Sequence, residues 1–281
     1  MASRTSIGTG ADAHTADRRD VRITHIGGPT ALIDIGPKDG SLRLLTDPTF
    51  EPAGYRYAPG AQDIVKTASP ALPPSALGPV EAVLLSHDQH NDNLDPAGRT
   101  FLSEARQTLT TPPGAQRLGG NARGVATWET VTLTGATGLE VRVTAVPARH
   151  GPAEIEDATG PVTGWLLEWE GQRRGALYIS GDTVLFDGLE EIARRSQIGV
   201  ALLHFGAARA PQFGAAFLTL TGVEGARFAR LLGQATIVPL HYTGWTLYTE
   251  GRDDIEEAFV AAGVAARLRF LPPGQPVSLD G

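Results

Sequence analysis

Hydrophobic and polar residues alternate in short runs along most of the chain, and glycine and proline separate these runs. Residues 21–26 and 30–35 alternate in this way, with Gly27, Gly28 and Pro29 between them, and a third run covers 42–45. Alternation is typical of half-buried strands, and Gly and Pro favour turns. Residues 21–45 are therefore predicted to form a meander of short strands. Further strands are predicted at 80–85, near 109, and at 131–133, 141–146, 164–170, 176–180, 200–204 and 237–240.

A different periodicity predicts helices between and after these strands. Residues 221–232 form an amphipathic pattern, with Thr221 as the expected N-cap and Gly233 as the stop. Shorter helices are predicted at 96–107, 115–118, 189–195 and 253–262, whereas residues 51–79 are rich in Pro, Ala and Gly and are predicted as a long surface loop. Strands dominate both ends and helices lie between, which favours a two-sheet core with helices outside.

Composition narrows the class of protein. The 281 residues are 41% hydrophobic and 20% charged, which is typical of a globular protein with a real core. The net charge of −7 argues against binding to a nucleic-acid backbone. The chain has no cysteine, so disulfides, thiolate zinc sites and iron–sulfur clusters are excluded. Any metal must then be held by His, Asp, Glu or Asn.

Residues 1–20 lack an apolar run and do not resemble a secretory signal. We expect them to form a disordered arm, followed by one domain over 21–281. No apolar run approaches the ~20 residues that span a bilayer. A cytoplasmic location without a membrane span is therefore expected.

Ionisable residues recur where predicted strands end. His87, His90, His150, His204 and His241 each follow or end an apolar run. Asp182 does the same after 176–180. One histidine at a strand end is an ordinary polar turn residue, but repetition at four or five strands indicates a shared cleft.

These residue types indicate a metal site. In the absence of thiolates, zinc and similar cations prefer imidazole and carboxylate ligands. His87 and His90 are three residues apart, and Asp92 is two further on, so one tight loop can aim several donors at one point. His150, Asp182 and His241 come from distant strands and can complete one or two sites, with Asp182 able to bridge two cations through its two oxygens.

Six short motifs occur in an order and spacing that resemble the metallo-β-lactamase fold superfamily. They are residues 23–27 (ITHIG), 47–48 (DP), 84–88 (LLSHD), 147–150 (PARH), 180–183 (SGDT) and 238–242 (VPLHY). The resemblance covers roughly residues 21–276. It is greatest to the branch that contains the L-ascorbate-6-phosphate lactonases and the N-acyl-phosphatidylethanolamine-hydrolysing phospholipase D. It implies an α+β fold, an αββα sandwich of two mixed β-sheets flanked by helices, with the metal site at one edge.

The chain departs from the superfamily signature His-x-His-x-Asp-His. If residues 92–95 (DNLD) align with the usual Asp-His-Leu-Asp, His90 takes the second histidine position and Asn93 the last. Without a gap Asp88 takes the first position, and with a one-residue insertion His87 takes it. We favour His87, and both alignments remain open at this point.

The resemblance also implies a role for each matching residue. His87 (or Asp88), His90 and His150 are expected to hold a first metal, Asp92 and His241 a second, and Asp182 to bridge them. The amide of Asn93 is a poor substitute for imidazole, so the second metal is expected to be weaker, absent or held in altered geometry. His204 is a candidate acid for the leaving group, with a packed or supporting role as the alternative.

The sequence therefore predicts a metal-dependent hydrolase that uses a metal-bound hydroxide to cleave an ester, lactone or phosphodiester. Asp92, Asp182 and His204 are the predicted catalytic residues, and two zinc ions, or manganese, the predicted cofactors. The expected partner is a small-molecule substrate and not a nucleic acid, and a homo-oligomer remains open. Two rivals are a degenerate ligand-binding member of the fold, suggested by Asn93, and a nuclease of the same superfamily.

Overall fold

Two β-sheets form the centre of the computed structural model, which describes residues 20–57 and 64–280. The first sheet contains β1 (Asp20–Gly27), β2 (Thr30–Ile35), β3 (Leu42–Thr46), β6 (Ala82–Leu84), β7 (Thr108–Thr110), β8 (Ala122–Gly124) and β15 (Val277–Asp280). Its order is β15-β1-β2-β3-β6-β7-β8. The strands from β15 to β3 pair antiparallel and those from β3 to β8 pair parallel, so this sheet is mixed. A separate short hairpin joins β4 (Arg56–Tyr57) and β5 (Ile64–Val65).

The second sheet is also mixed. It contains β9 (Thr130–Thr134), β10 (Glu140–Pro147), β11 (Thr163–Trp169), β12 (Ala176–Ile179), β13 (Ile198–His204) and β14 (Thr236–Leu240), in the order β14-β13-β12-β11-β10-β9. The strands β12, β13 and β14 are parallel neighbours, and the other pairs are antiparallel. The parallel strands end at the same edge of the sheet, which matters for the site.

One hydrophobic core joins the two sheets. Ile33 and Leu44 from the first sheet pack in the same buried cluster as Trp165, Leu167 and Leu202 from the second, all fully excluded from solvent. Burying a side chain of this size contributes about 1.5–3 kcal/mol. The alternating pattern of β2, β3 and β11 therefore places one side of each sheet against the other.

Helices cover the outer faces of both sheets. They are α1 (Pro96–Phe101), α2 (Pro112–Leu118), α3 (Glu156–Thr159), α4 (Asp187–Arg195), α5 (Gly222–Leu231) and α6 (Arg252–Ala261), with 3₁₀ turns at Pro74–Ala76, Ala153–Ile155, Pro211–Phe213 and Ala265–Arg267. Phe228 of α5 and Phe259 of α6 pack with Tyr178 outside the second sheet, and Phe101 of α1 packs with Val83 outside the first. The predicted αββα sandwich is confirmed. Among the described residues, no helix is both long and apolar enough to cross a membrane.

Three local predictions differ from the structure. The helix predicted at 96–107 ends at Phe101, because Arg106 donates its N–H to Val80 and Gln107 accepts from Val83, so this backbone joins β6. Within the predicted loop 51–79 the structure contains the β4–β5 hairpin and a 3₁₀ turn. The strand β15 was not predicted.

The predicted arm lies outside the described residues except for Asp20, which begins β1. The single domain over 21–281 stays a prediction.

Candidate metal centre

The histidines and aspartates of interest lie at one edge of the sandwich. Asp182 follows β12, His204 ends β13 and His241 follows β14, and these strands are parallel. The strand β10 runs in the same direction, because β10 and β12 are both antiparallel to β11, and His150 follows it. His87 follows β6 of the other sheet, which is tied to this edge by the hydrogen bond from Thr163 N–H to the Ser86 carbonyl, at 3.1 Å. The fold therefore gathers residues that are far apart in sequence.

His87, His90 and His150 form what we call the histidine group. The His90 Nδ1 atom lies 2.9 Å from His87 Nε2 and 3.0 Å from His150 Nε2. His87 and His150 are buried and His90 is half-buried. Three ring nitrogens thus converge on one point at this edge of the sandwich.

Neighbouring groups fix the orientation of two of these rings. The His150 Nδ1–H donates to the Leu218 carbonyl at 2.8 Å, which leaves the lone pair of Nε2 facing His90. On the other ring, His87 Nδ1 lies 2.9 Å from the Ser86 hydroxyl. Hydrogen bonds of this kind set the tautomer and direction of a ligating histidine.

Asp92, Asp182 and His241 form the second cluster, which we call the carboxylate group. The His241 Nε2 atom lies 3.3 Å from Asp92 Oδ2 and 3.4 Å from Asp182 Oδ1, and its Nδ1–H donates to the Phe205 carbonyl at 3.2 Å. The other oxygen of Asp182, Oδ2, lies 3.8 Å from His150 Nε2. Asp182 therefore faces both groups, one oxygen to each.

The backbone next to these side chains adopts conformations that few residues accept. Gly181 has φ +60°, and a Cβ atom there would lie 2.6 Å from the Thr163 carbonyl oxygen. His241 itself has φ +59°. Positive φ in a non-glycine residue is uncommon and is found at sites whose surroundings hold it in place. The turn after β12 thus needs glycine to bring Asp182 to this edge.

A buried polar network lies behind the carboxylate group. The Asn93 Nδ2 atom donates to Asp182 Oδ1 at 3.2 Å and to Asp47 Oδ2 at 3.4 Å. Asp47 accepts a 2.6 Å hydrogen bond from Ser86 N–H through its other oxygen. His204 Nδ1 lies 2.9 Å from Asp182 Oδ1, and the His204 ring has no exposed surface. The role of His204 as an acid toward a leaving group stays a prediction.

The Asp88 carboxylate is paired with an arginine and is not part of the histidine group. Arg117 of α2 donates its Nε–H to Asp88 Oδ2 at 2.9 Å and a second N–H to Oδ1, so the pair is bidentate. This pairing raises the pKa of the Arg117 guanidinium. Of the two alternatives at the first signature position, the geometry supports His87.

Burial makes His87 and His90 reluctant to carry protons. It lowers the pKa of His87 well below its usual range, with a further contribution from His90. Burial and the nearby His150 lower the pKa of His90 to about 4. At neutral pH His87 and His90 are therefore neutral and offer lone pairs.

The carboxylate group behaves in the opposite way. Burial alone would lower the pKa of His241, but the Asp182 and Asp92 carboxylates outweigh it and raise this pKa to about 9. Burial alone would raise the pKa of Asp182, but His241 and His204 hold it well below its usual range. Behind them, burial raises the pKa of Asp47 to about 8, and the charge of Asp182 adds to the effect.

Aromatic residues after His241 divide between the site and the core. The Tyr248 ring lies 4.5 Å from the His241 ring, and its buried hydroxyl has no hydrogen-bond partner in the described parts of the chain. Tyr242 instead packs on Phe270 in the core beneath α6. From the predicted loop, the Tyr55 hydroxyl accepts a hydrogen bond from Asn91 at 3.1 Å. One tyrosine of this segment thus lines the site and another does not.

The donor atoms fit divalent cations. Asp182 Oδ2 and His241 Nε2 are buried and have no hydrogen-bond partner within residues 20–57 and 64–280. In a protein interior such atoms are costly unless something binds them. Since the Nδ1 atoms of His150 and His241 donate to carbonyl groups, their Nε2 atoms are left to face the other donors. A cation in each group would satisfy these atoms.

Some participants were not identified from the sequence. Ser86 immediately precedes His87 and could have been noticed as a hydroxyl able to orient it. The Leu218 and Phe205 carbonyl groups carry no side-chain signal, and the pairing of Asp88 with Arg117 links residues 29 positions apart. Each of the predicted ligands other than Asp88 lies in one of the two groups.

The fold and the site define a known class of proteins. The family model described as the Beta-lactamase superfamily domain matches residues 42–242. The chain belongs to this family, and the predicted membership of the metallo-β-lactamase superfamily is confirmed.

Relatives along nearly the whole chain carry related names. A UPF0173 metal-dependent hydrolase of Pyrococcus furiosus is 26% identical over 262 residues, which cover 92% of this chain and 100% of the relative. A protein with the same family name from Pelotomaculum thermopropionicum is 28% identical over 267 residues, with the same coverage. The lactonase-like branch within the superfamily stays a prediction.

Solved structures share the fold. A possible metal-dependent hydrolase from Veillonella parvula matches with a TM-score of 0.76 at 18% identity, over 92% of this chain and 100% of the other. An isothiocyanate hydrolase from Delia radicum gut bacteria matches with a TM-score of 0.74 at 19% identity and the same coverage.

Proposed function

We propose that the protein is a metal-dependent hydrolase with two divalent cations, zinc or manganese, one in each group. The observation that carries the proposal is the position of Asp182, whose two oxygens face the two groups separately. A single carboxylate between two donor sets is suited to bridging two cations. The names of the full-length relatives support the hydrolase class.

Bound cations would activate a water and polarise a carbonyl or phosphoryl oxygen of the substrate. The chain's own residues provide the surroundings. His87, His90 and His150 supply ring nitrogens at one position, and Asp92 and His241 supply the donors at the other. The partly open side at His90 admits the substrate. We propose an ester, a lactone or a phosphodiester, whose cleavage needs an activated water and a stabilised oxyanion.

The buried Tyr248 hydroxyl is placed to donate a hydrogen bond to such a substrate, since burial raises its pKa well above the usual range and keeps it protonated. The rival of a non-catalytic binding protein rests on Asn93. The rival of a nuclease is opposed by the net charge of −7. Metal content, hydrolysis of model substrates and retention of RNA separate these alternatives.

The test compares Asp182→Asn with Asp34→Asn. Asp34 is a buried carboxylate on β2 that accepts hydrogen bonds from Ser41 and Arg43, and it serves as the matched control. Zinc and manganese content would be measured after purification without chelators, and hydrolysis on nitrophenyl esters, lactones and bis-nitrophenyl phosphate. We expect Asp182→Asn to lose metal and at least ~100-fold in rate, because ligands matter more than their supporting partners. The Asp34→Asn variant should keep both.

Two results would contradict the proposal. One is a wild-type protein that carries no transition metal and hydrolyses none of these substrates, which would favour the binding-protein alternative. The other is an Asp182→Asn variant with full rate and full metal content. Retention of RNA by the wild-type protein at low salt would favour the nuclease.

A further inference from the structure

The last histidine of the superfamily signature is replaced here by Asn93, but a different imidazole reaches the same carboxyl oxygen. We propose that His204 Nδ1 is a metal ligand of the carboxylate group, in the place that Asn93 does not fill. This inference rests on the proposed function, because it concerns the second of the two cations. It assigns His204 a role as a ligand instead of an acid.

The position of His204 in the second sheet is suited to this role. His204 ends β13, which lies between the parallel strands β12 and β14, and the residues that follow these strands include Asp182 and His241. Its backbone N–H donates to the Ser180 hydroxyl at 2.9 Å. His204 is therefore held between the two strands that supply the other ligands.

The distances match a shared cation. His204 Nδ1 lies 2.9 Å and His241 Nε2 3.4 Å from the same atom, Asp182 Oδ1. His241 Nε2 also lies 3.3 Å from Asp92 Oδ2. Ligands about 2.0–2.1 Å from a tetrahedral zinc are about 3.3 Å from one another. The two imidazole rings are parallel, with centroids 5.3 Å apart and an interplanar angle of 5°.

The other nitrogen of His204 supports the same assignment. His204 Nε2 is buried without a hydrogen-bond partner among the described residues, and it lies 3.9 Å from Asp47 Oδ2. If Nδ1 binds a cation, Nε2 carries the proton and points toward a carboxylate, an arrangement common for metal-ligating histidines. If Nδ1–H donates to Asp182 instead, Nε2 is a buried lone pair with no donor within hydrogen-bond distance in the described parts of the chain, which is costly.

Asn93 has a different task in this arrangement. Its Nδ2 donates to both Asp182 Oδ1 and Asp47 Oδ2, so the amide connects the two carboxyl groups. The exchange of imidazole between positions 93 and 204 predicts that a histidine at 93 can replace a lost histidine at 204.

In the experiment, metal is first removed from the protein with a chelator, and the chelator is removed in turn. The metal-free protein is then titrated with Co²⁺, and binding is followed by calorimetry and by the visible absorption of the ion. The variants are His204→Gln, the double variant His204→Gln/Asn93→His, and His25→Gln as a matched control. His25 is a buried histidine outside both groups that contacts the Gly28 carbonyl at 3.1 Å. Glutamine is chosen because it preserves much of the side-chain volume, and circular dichroism checks that each variant folds.

We expect the wild-type protein and His25→Gln to bind two Co²⁺ ions. His204→Gln should bind the second ion about 100- to 1,000-fold more weakly, since it removes one of about four ligands that share the binding free energy. The added Asn93→His change should restore this affinity. A purely positioning role for His204 would not be rescued by a histidine at 93.

A second measurement detects the bond between His204 Nδ1 and the metal ion directly. Protein labelled with ¹⁵N-histidine and loaded with ¹¹³Cd²⁺ should show a ¹¹³Cd–¹⁵N scalar coupling at His204 Nδ1 that disappears in His204→Gln. An uncoupled His204 in wild-type protein with two bound ions would overturn the assignment, as would unchanged binding of every ion by His204→Gln. A wild-type protein that binds no ion would contradict the proposed function itself.

Discussion

The histidine group and the carboxylate group lie side by side but differ in charge. The first consists of three imidazoles, and the pKa values of His87 and His90 are lowered by burial. The second contains two carboxylates, and they raise the pKa of His241 to about 9. A cation entering the histidine group meets the free lone pairs of His87 and His90, whereas a cation entering the carboxylate group must displace a proton from His241. One edge of the fold thus carries two groups of potential ligands with unlike chemistry.

The largest expected effect comes from deleting one ligand of each group. His150→Ala should weaken binding of Co²⁺ to the histidine group by about 100- to 1,000-fold and leave binding to the carboxylate group unchanged. His241→Ala should have the converse effect. The absorption spectrum should distinguish them, because the remaining ion is held mainly by nitrogen in one variant and by mixed ligands in the other. Loss of both ions in both variants would show that the groups act as one unit and would contradict their description as two separate groups.

The second largest effect is expected on the stability of the metal-free protein as pH changes. His90 has a folded-state pKa of about 4, below the usual value of 6.5 for histidine, so its contribution to stability is present above pH 6.5 and is lost as pH falls toward 4. His241 has a folded-state pKa of about 9, so its contribution is present below 6.5 and is lost as pH rises through 9. Each contribution amounts to about 3 kcal/mol.

Urea unfolding of two variants checks these opposite signs. His90→Gln should reduce the loss of stability between pH 6.5 and 4, and His241→Gln should reduce the loss between pH 6.5 and 9. The same pH dependence in both variants would contradict the assigned difference in charge between the groups.

The smallest expected effect comes from Asp88, which lies between His87 and His90 in sequence but pairs with Arg117. Asp88→Asn should change the affinity for either ion by less than about tenfold, because it removes a partly exposed ion pair worth about 0–1 kcal/mol. His87→Asn should instead weaken the ion of the histidine group as His150→Ala does. If the Asp88 variant loses that ion and the His87 variant keeps it, the ungapped alignment is correct and the group must be redefined.

Much of the fold was predictable because its signals are local. Alternation in residues 30–35 and 42–45 predicted β2 and β3, and the Thr221 cap with Gly233 bounded α5, since strand and helix periods appear directly in the residues. The strand β15 carries no such signal. It forms because Val277–Asp280 pairs with β1, more than 250 residues away, and that pairing exists only in the folded chain.

The sequence by itself determined which side chains are available at the strand ends, because a histidine or aspartate that follows an apolar run is placed there by the strand itself. Only the tertiary structure decided how they are shared. It turned Asp88 toward Arg117, placed His204 against Asp182, and made Asn93 a donor between two carboxyl groups. The direction of a side chain depends on what distant elements pack beside it, and a single sequence does not contain those neighbours.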